Sequence, residues 1–385
     1  MVFKRDEKIN ILADIIKIKS ENDNELKVAE YLKKLLEKYD MVSELVEYNK
    51  SRSSLICDLK GKKKGEKLLI ISGHMDVVAA GDEKEWTFPP FGAEIHNGKM
   101  YGRGTTDMKS GLAALIIAMI ELKEEGSDFS GTLRLAATVG EEIGMLGSKQ
   151  LVEEGYIDGA DGFLIAEPSG RDRIINAHKG SLQYEIISIG KSAHSSMPQA
   201  GIDSLQLMVD YINETNKKFE KAFSAKKNEQ LGRTINVNTV INGGTQINSV
   251  AGKTILKANA RTVPEVNNDE VIKIIESVIS DLNSKNKGKL QLNILQNNPN
   301  AVSSVDNDLV KAILSSVEDD IPVTFLGGAT DASNFGRISD KYDLAIFGPG
   351  EATLAHTVDE FVEIDEYLEF IDIYKRTIKN YLNKI

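Results

Sequence analysis

The chain has 385 residues, 41% of them hydrophobic and 27% charged, with a formal net charge of −11. That length exceeds one ordinary core and predicts two domains, and the negative balance argues against nucleic acid or an anionic membrane as a partner. A single cysteine, Cys57, excludes an internal disulfide, and the longest apolar run, Leu112–Ile120, falls far short of the ~20 residues of a membrane span.

The opening MVFKRDEKIN passes into a helical pattern without the apolar core of a signal peptide; with the lone cysteine it predicts a cytoplasmic location. Apolar spacing predicts helices over Lys8–Ile18 and Val28–Tyr39, then strands over Ser54–Leu59 and Leu68–Ser72. A turn-rich stretch around Trp86, Pro89 and Pro90 precedes a helix at Ser110–Lys123, a strand at Thr132–Thr138, a helix at Ser148–Glu154 and a strand at Gly162–Ala166. This alternation predicts an α/β domain, a helix-covered, mixed and largely parallel sheet.

Near Ala177 the character changes. Strands at Ser181–Ile189, Thr234–Ile241 and Thr254–Thr262 surround helical patterns at Ser204–Phe219 and Asp269–Leu282, which predicts a compact inserted α+β unit. The α/β rhythm resumes after Asn293, with a helix at Asp308–Val317, strands at Val323–Leu326 and Asp343–Phe347, and a closing helix at Glu363–Tyr381. The expected division is therefore 1–178 with 293–385, interrupted by 179–292.

Strand ends carry the reactive residues. His74 ends the strand of ISGHMDVV, with Asp76 two residues on, where a continued extended chain would place the carboxylate behind the imidazole. Asp107 follows Gly102 and Gly104 at the entrance of the Ser110 helix. Glu141 and Glu142 close the next strand, Glu167 the one after, and His356 lies beyond the last. Taken singly, His74 also reads as a core histidine and Asp107 as a helix N-cap. Together they line the carboxyl ends of successive strands, where open α/β sheets bind ligands. Oxygen and imidazole donors without thiolate suit zinc, cobalt or manganese, and a histidine at each end of the set suggests two metals bridged by one carboxylate.

The stretches GHMDVV, FPPFGAEIHNGKMYGRGTTDMKSG, TVGEEIGMLGS, AEPS, GKSAHSSMPQAGIDS and GPGEATLAH, in this order, closely resemble the di-zinc metallopeptidase and deacylase family of acetylornithine deacetylase, succinyl-diaminopimelate desuccinylase, aminoacylase and carboxypeptidase G. The resemblance implies a zinc-exopeptidase-like catalytic domain with an inserted lid and dimerisation domain. It implies that Asp107 bridges two zinc ions, that His74 and Glu167 complete one site, and that Glu142 and His356 complete the other. It further implies Asp76 as the acid behind His74, Glu141 as general base, a cis peptide after Asp107, and His194 as oxyanion donor, supplied by the partner in dimeric relatives. Arg261 and Asn248 match positions that hold a substrate carboxylate, and Lys179, Ser181, Gly328 and Thr330 fall in segments expected to line the substrate.

The implied activity is metal-dependent cleavage of the amide of an N-acyl amino acid or short peptide with a free carboxylate. Desuccinylation of N-succinyl-diaminopimelate comes first, then acetylornithine deacetylation, then low-specificity aminoacylase or dipeptidase action; a non-catalytic metal- or peptide-binding protein is the reading from another class. The loop GGATDASNF (Gly327–Phe335) departs from the GGTSDGRF-like loop of desuccinylases: it keeps Asp331, has Ala329 at the threonine position and lacks the arginine.

Overall fold

A computed structural model describes residues 2–339 and 341–384. The chain divides into two compact units, one holding residues up to Ala177, 302–325 and those from Thr330 onward, the other 178–301 with 326–329.

The first unit opens with helices α1 (Arg5–Lys17) and α2 (Leu26–Glu37), then strands β1 (Ser43–Asn49), β2 (Arg52–Lys60) and β3 (Lys63–His74). Short strands β4 (Glu94–His96) and β5 (Lys99–Tyr101) precede α3 (Ser110–Glu124), β6 (Ser130–Thr138), α4 (Leu146–Glu153), β7 (Gly162–Pro168) and β8 (Ile174–His178). The second unit comprises β9 (Gly180–Ile189), α5 (Ser204–Ala225), β10 (Ile235–Gly243), β11 (Lys253–Thr262), α6 (Asn268–Lys285) and β12 (Lys289–Asn298). The chain then adds β13 (Ala301–Val302), α7 (Asp308–Leu314), β14 (Val323–Leu326), α8 (Ala332–Phe335), β15 (Asp343–Gly348), β16 (Phe361–Glu363) and α9 (Ile364–Leu382).

Among the described residues the main sheet runs β1-β2-β6-β3-β7-β15-β8-β13, with β14 paired to β8. β3 is parallel to both β6 and β7, and β15 is parallel to β7, whereas β1, β2 and β6 are joined antiparallel. The expected mixed, largely parallel sheet is present. Helix α3 is buried from Ser110 to Leu122 because its sequence, SGLAALIIAMIELKE, is apolar on every side. It can approach the sheet because Gly111 faces Ala166: a Cβ at Gly111 would lie 2.1 Å from the Ala166 carbonyl oxygen. Cys57 is buried in β2.

The second unit is a four-stranded antiparallel sheet, β10-β11-β9-β12, with α5 and α6 packed on it. Leu182, Tyr184 and Ile186 of β9 meet Leu207, Met208 and Tyr211 of α5 and Val271, Ile275 and Val278 of α6. Asp203 caps α5 by accepting from the N–H groups of Leu205 and Gln206, and Asn267 caps α6 through Glu270 N–H. The unit runs past the expected boundary at 292, because β12 pairs along the whole of β9. The polar residues of KLQLNILQNN hide this strand from a reading of composition. Strands β1 and β8 were likewise not anticipated.

Candidate metal centre

Parallel pairing of β3 with β6 and β7 brings the carboxyl ends of these strands to one edge. His74 is the last residue of β3, Glu141 and Glu142 follow β6, and Glu167 is the penultimate residue of β7. Asp107 enters from a tight turn before α3, where Gly104 takes φ +86° and the Asp107–Met108 peptide is cis, as the resemblance implied. Asp107 is not an N-cap, since α3 begins at Ser110. His356, after β15, adopts φ +64°, an unusual conformation for a residue with a side chain.

The two carboxylate oxygens of Asp107 face different histidines. Oδ1 lies 3.1 Å from His74 Nε2, and Oδ2 lies 3.4 Å from His356 Nε2. His74 Nε2 is also 3.8 Å from Glu167 Oε1, and His356 Nε2 is 2.9 Å from Glu142 Oε1. The neighbouring glutamates diverge: Glu141 clusters with His74 and Glu167, whereas Glu142 clusters with His74 and Asp107, each set having donor atoms within 4.8 Å. Proximity alone thus admits Glu141 as a ligand as well as a base.

His74 Nδ1 donates to the main-chain carbonyl of Asp76 at 2.9 Å, which leaves Nε2 facing the carboxylates. The Asp76 carboxylate lies on the Nδ1 side of the ring, with Oδ1 3.7 Å from Nδ1. It also accepts from the N–H groups of Glu141 (3.2 Å) and Glu142 (3.1 Å), and so holds the glutamate doublet. A further buried acid, Glu25, accepts from Gly140 N–H at 3.1 Å and is paired with buried Arg52. Asp331 is fully buried and receives Thr138 Oγ1–H at 2.6 Å.

The electrostatics demand positive charge. Burial, reinforced by the Glu167 charge, drives the Glu141 pKa well above the carboxylate range; burial and the Asp107 charge do the same to Glu167. Burial opposes the charged form of His74, yet the bond to Asp107 and the charges of Glu167 and Asp76 outweigh it and raise its pKa well above normal. Hydrogen bonds to Asp107 and Glu142 raise His356 to about 10. Asp107 is held low despite burial by its bonds to His356 and His74. Crowded buried carboxylates that draw protons onto adjacent imidazoles make a pocket that also accommodates divalent cations, and the nitrogen and oxygen donors fit zinc, cobalt or manganese.

In the second unit, His194 is exposed, and its Nδ1 accepts Ser196 N–H at 3.2 Å, so Nε2 carries the ring proton. Its loop pairs with that of Asn248: Ser195 N–H donates to the Asn248 carbonyl at 2.9 Å. Arg261 of β11 sits opposite Ser181 of β9, which is buried, while Lys179 Nζ donates to the Arg233 carbonyl at 2.8 Å. The Arg261 guanidinium is half-buried, with no carboxylate partner among the described residues. Within one chain Asn248 and Arg261 stand apart. The β9–β11 register runs from Ser181↔Arg261 to Ile189↔Lys253, eight residues (189 − 181), or about 26 Å at roughly 3.3 Å per residue. His194 and Asn248 lie beyond one end and Arg261 at the other. Gly328 is half-buried, and Thr330, in the first unit, is buried with Oγ1 accepting Ala332 N–H at 3.3 Å. His96 is exposed against Glu94, as its turn suggests, and His178 is fully buried.

Residues 70–380 match the sequence profile of Peptidase family M20/M25/M40. A Staphylococcus epidermidis protein named probable succinyl-diaminopimelate desuccinylase is 42% identical over 410 aligned positions, covering 100% of both chains. A tripeptidase structure from Staphylococcus aureus superposes with TM-score 0.79 at 22% identity, covering 100% of both chains. A Bacillus subtilis structure, described as a dinuclear metal binding peptidase from M20 family, superposes with TM-score 0.72 at 14% identity over 99% of each. The latter two likenesses concern the fold.

Proposed function

The chain belongs to peptidase family M20/M25/M40 and is a hydrolase, and from that premise we propose that it is a two-metal amidohydrolase that removes the succinyl group from N-succinyl-diaminopimelate. The observation that carries the reading is Asp107, whose two oxygens face His74 and His356 separately, with Glu141 beside the first and Glu142 beside the second. His74, Asp107 and Glu167 would hold one cation, and Asp107, Glu142 and His356 the other, with zinc the metal of choice. The Bacillus subtilis neighbour described as dinuclear supports the count. When bound, two such cations polarise the scissile carbonyl and lower the pKa of water.

The protein's own residues do the rest. The Glu141 carboxylate takes a proton from the attacking water and returns it to the leaving nitrogen, its oxygen lying within 4.8 Å of the donor atoms of His74 and Glu167. Asp76 fixes the Glu141–Glu142 backbone so that one side chain turns to each task. His194 presents Nε2–H to the developing oxyanion, and the Arg261 fork, without a carboxylate partner among the described residues, suits a substrate carboxylate. The opposite placement of His194 and Arg261 supports a homodimer in which His194 serves the partner's site. Strand β10, at the edge of its sheet, carries exposed Ile235, Val237 and Ile241, which favours pairing through this unit.

The test separates the two glutamates. Glu141→Gln should retain both metals while losing about 10²–10⁴-fold in turnover, and Glu142→Ala should lower metal stoichiometry. Full activity in the first variant removes Glu141 from the mechanism. The loop Gly327–Phe335, without the desuccinylase-like arginine, supports a second reading, acetylornithine deacetylation or broader aminoacylase or dipeptidase action. Amine release from N-succinyl, N-acetyl and dipeptide substrates decides between them.

A further inference from the structure

Glu360 is completely buried, four positions after His356, yet its carboxylate serves the Asp107 turn. Oε1 accepts from three main-chain N–H groups: Gly104 at 3.0 Å, Thr106 at 2.8 Å and Asp107 at 3.0 Å. Oε2 lies 2.5 Å from Arg103 Nη1. Arg103 belongs to the Asp107 side and reaches the other way, donating from Nη1 to the carbonyl of Thr357, next to His356, at 3.1 Å. Each member of the pair thus crosses into the segment that carries the other's ligand. Main-chain and side-chain bonds reinforce the join: Gly102 N–H donates to the Glu360 carbonyl at 2.9 Å, and Thr106 Oγ1–H to the Phe361 carbonyl at 2.5 Å.

A buried ion pair adds little net stability over a well-packed apolar pair, but it fixes direction and distance when its hydrogen bonds are satisfied. Here the fixed quantity is the approach of two segments about 250 residues apart, which leaves Asp107 Oδ2 3.4 Å from His356 Nε2. The left-handed backbone of His356 lies within the same clamped segment. Burial of a carboxylate beside further carboxylates is costly, so the location is informative: an apolar contact could join the segments without aligning the Asp107 peptide.

We propose that Glu360, with Arg103 as its counter-ion, is a positioning residue that sets the Asp107–His356 arm of the metal centre before any cation binds. The proposal rests on the reading of Asp107, Glu142 and His356 as ligands. Its control lies elsewhere in the same unit: Glu121 is an equally buried carboxylate, ion-paired with Lys8 and Lys375 near the C-terminal end of α3, fourteen positions after Asp107 (121 − 107).

The experiment strips the full-length protein with chelator. It then titrates zinc calorimetrically and cobalt by visible absorption into the wild type, Glu360→Gln and Glu121→Gln. Wild type should bind two ions per chain. Glu360→Gln should bind one of them about 10–100-fold more weakly, with an altered cobalt spectrum. Glu121→Gln should lower the unfolding temperature without moving either metal readout. Wild-type zinc affinity and cobalt spectrum in Glu360→Gln overturn the proposal, as does equal weakening in Glu121→Gln. If Glu360→Gln does not fold, Arg103→Lys serves: it keeps a cation at Glu360 but loses the guanidinium fork, and unchanged zinc binding there also overturns the clamp. A wild type that binds no zinc fails the metal reading itself, a distinct outcome.

Discussion

If each active site draws His194 from one chain and Arg261 from the other, two inactive variants should repair each other. The perturbation is a 1:1 mixture of His194→Ala and Arg261→Ala chains, co-expressed or exchanged through reversible dissociation. The two residues lie at opposite ends of a ladder spanning about 26 Å. The carboxylate of an amino acid and the acyl carbonyl on its nitrogen are only about one residue length, roughly 4 Å, apart. One copy of the second unit cannot place both side chains on the same amino acid.

Each variant alone should lose about 10²–10³-fold in turnover, the usual effect of removing one oxyanion donor or charged anchor. Random assortment makes half the dimers mixed, and in each mixed dimer one site receives both intact residues. Activity should therefore return to about one quarter of the wild-type value. The assay is initial-rate amine release, with sedimentation to confirm dimers. No recovery in a mixture shown to contain mixed dimers refutes the shared site, and so does a fully active monomer.

Excess chelator should abolish turnover and lower the unfolding temperature, and zinc or cobalt should restore both; the stabilisation should be about 2.7 kcal/mol for each ion at a free concentration 100 times its Kd. Burial lowers the His178 pKa from 6.5 to about 4. The unfolded chain therefore binds a proton that the folded chain refuses between these values, and stability falls as pH drops from 6.5 towards 4, by at most about 3 kcal/mol. Urea unfolding at pH 7 and pH 4.5 should show a smaller loss for His178→Gln than for wild type, and equal losses would contradict the assignment. Gly111→Ala would drive a methyl group to 2.1 Å from the Ala166 carbonyl oxygen, so α3 and β7 must separate. Destabilisation of about 1–3 kcal/mol with weaker zinc binding through displaced Glu167 is expected; a neutral substitution would show that the contact yields.

His74, Glu142 and Glu167 were legible in the sequence as candidates because they close or follow strands, and strand ends follow from local periodicity; Asp107 and His356 lie in loops and stood out through their short motifs. The alternation of helix and strand likewise fixed the class of the main sheet. Tertiary structure decided what locality cannot express. Asp76 holds the glutamate doublet through bonds to main-chain groups 65 and 66 positions away, which the local i, i+2 pattern does not reveal. Nothing local in the sequence marks Glu25, Arg52, Arg103 and Glu360; they are buried because partners distant in sequence satisfy them. Asn248 and Arg261 look like neighbours thirteen positions apart (261 − 248), but an extended strand carries them to opposite ends of a sheet. Side-chain chemistry and short-range spacing name the candidate ligands, while the long-range hydrogen bonds that aim them exist only once the chain has folded.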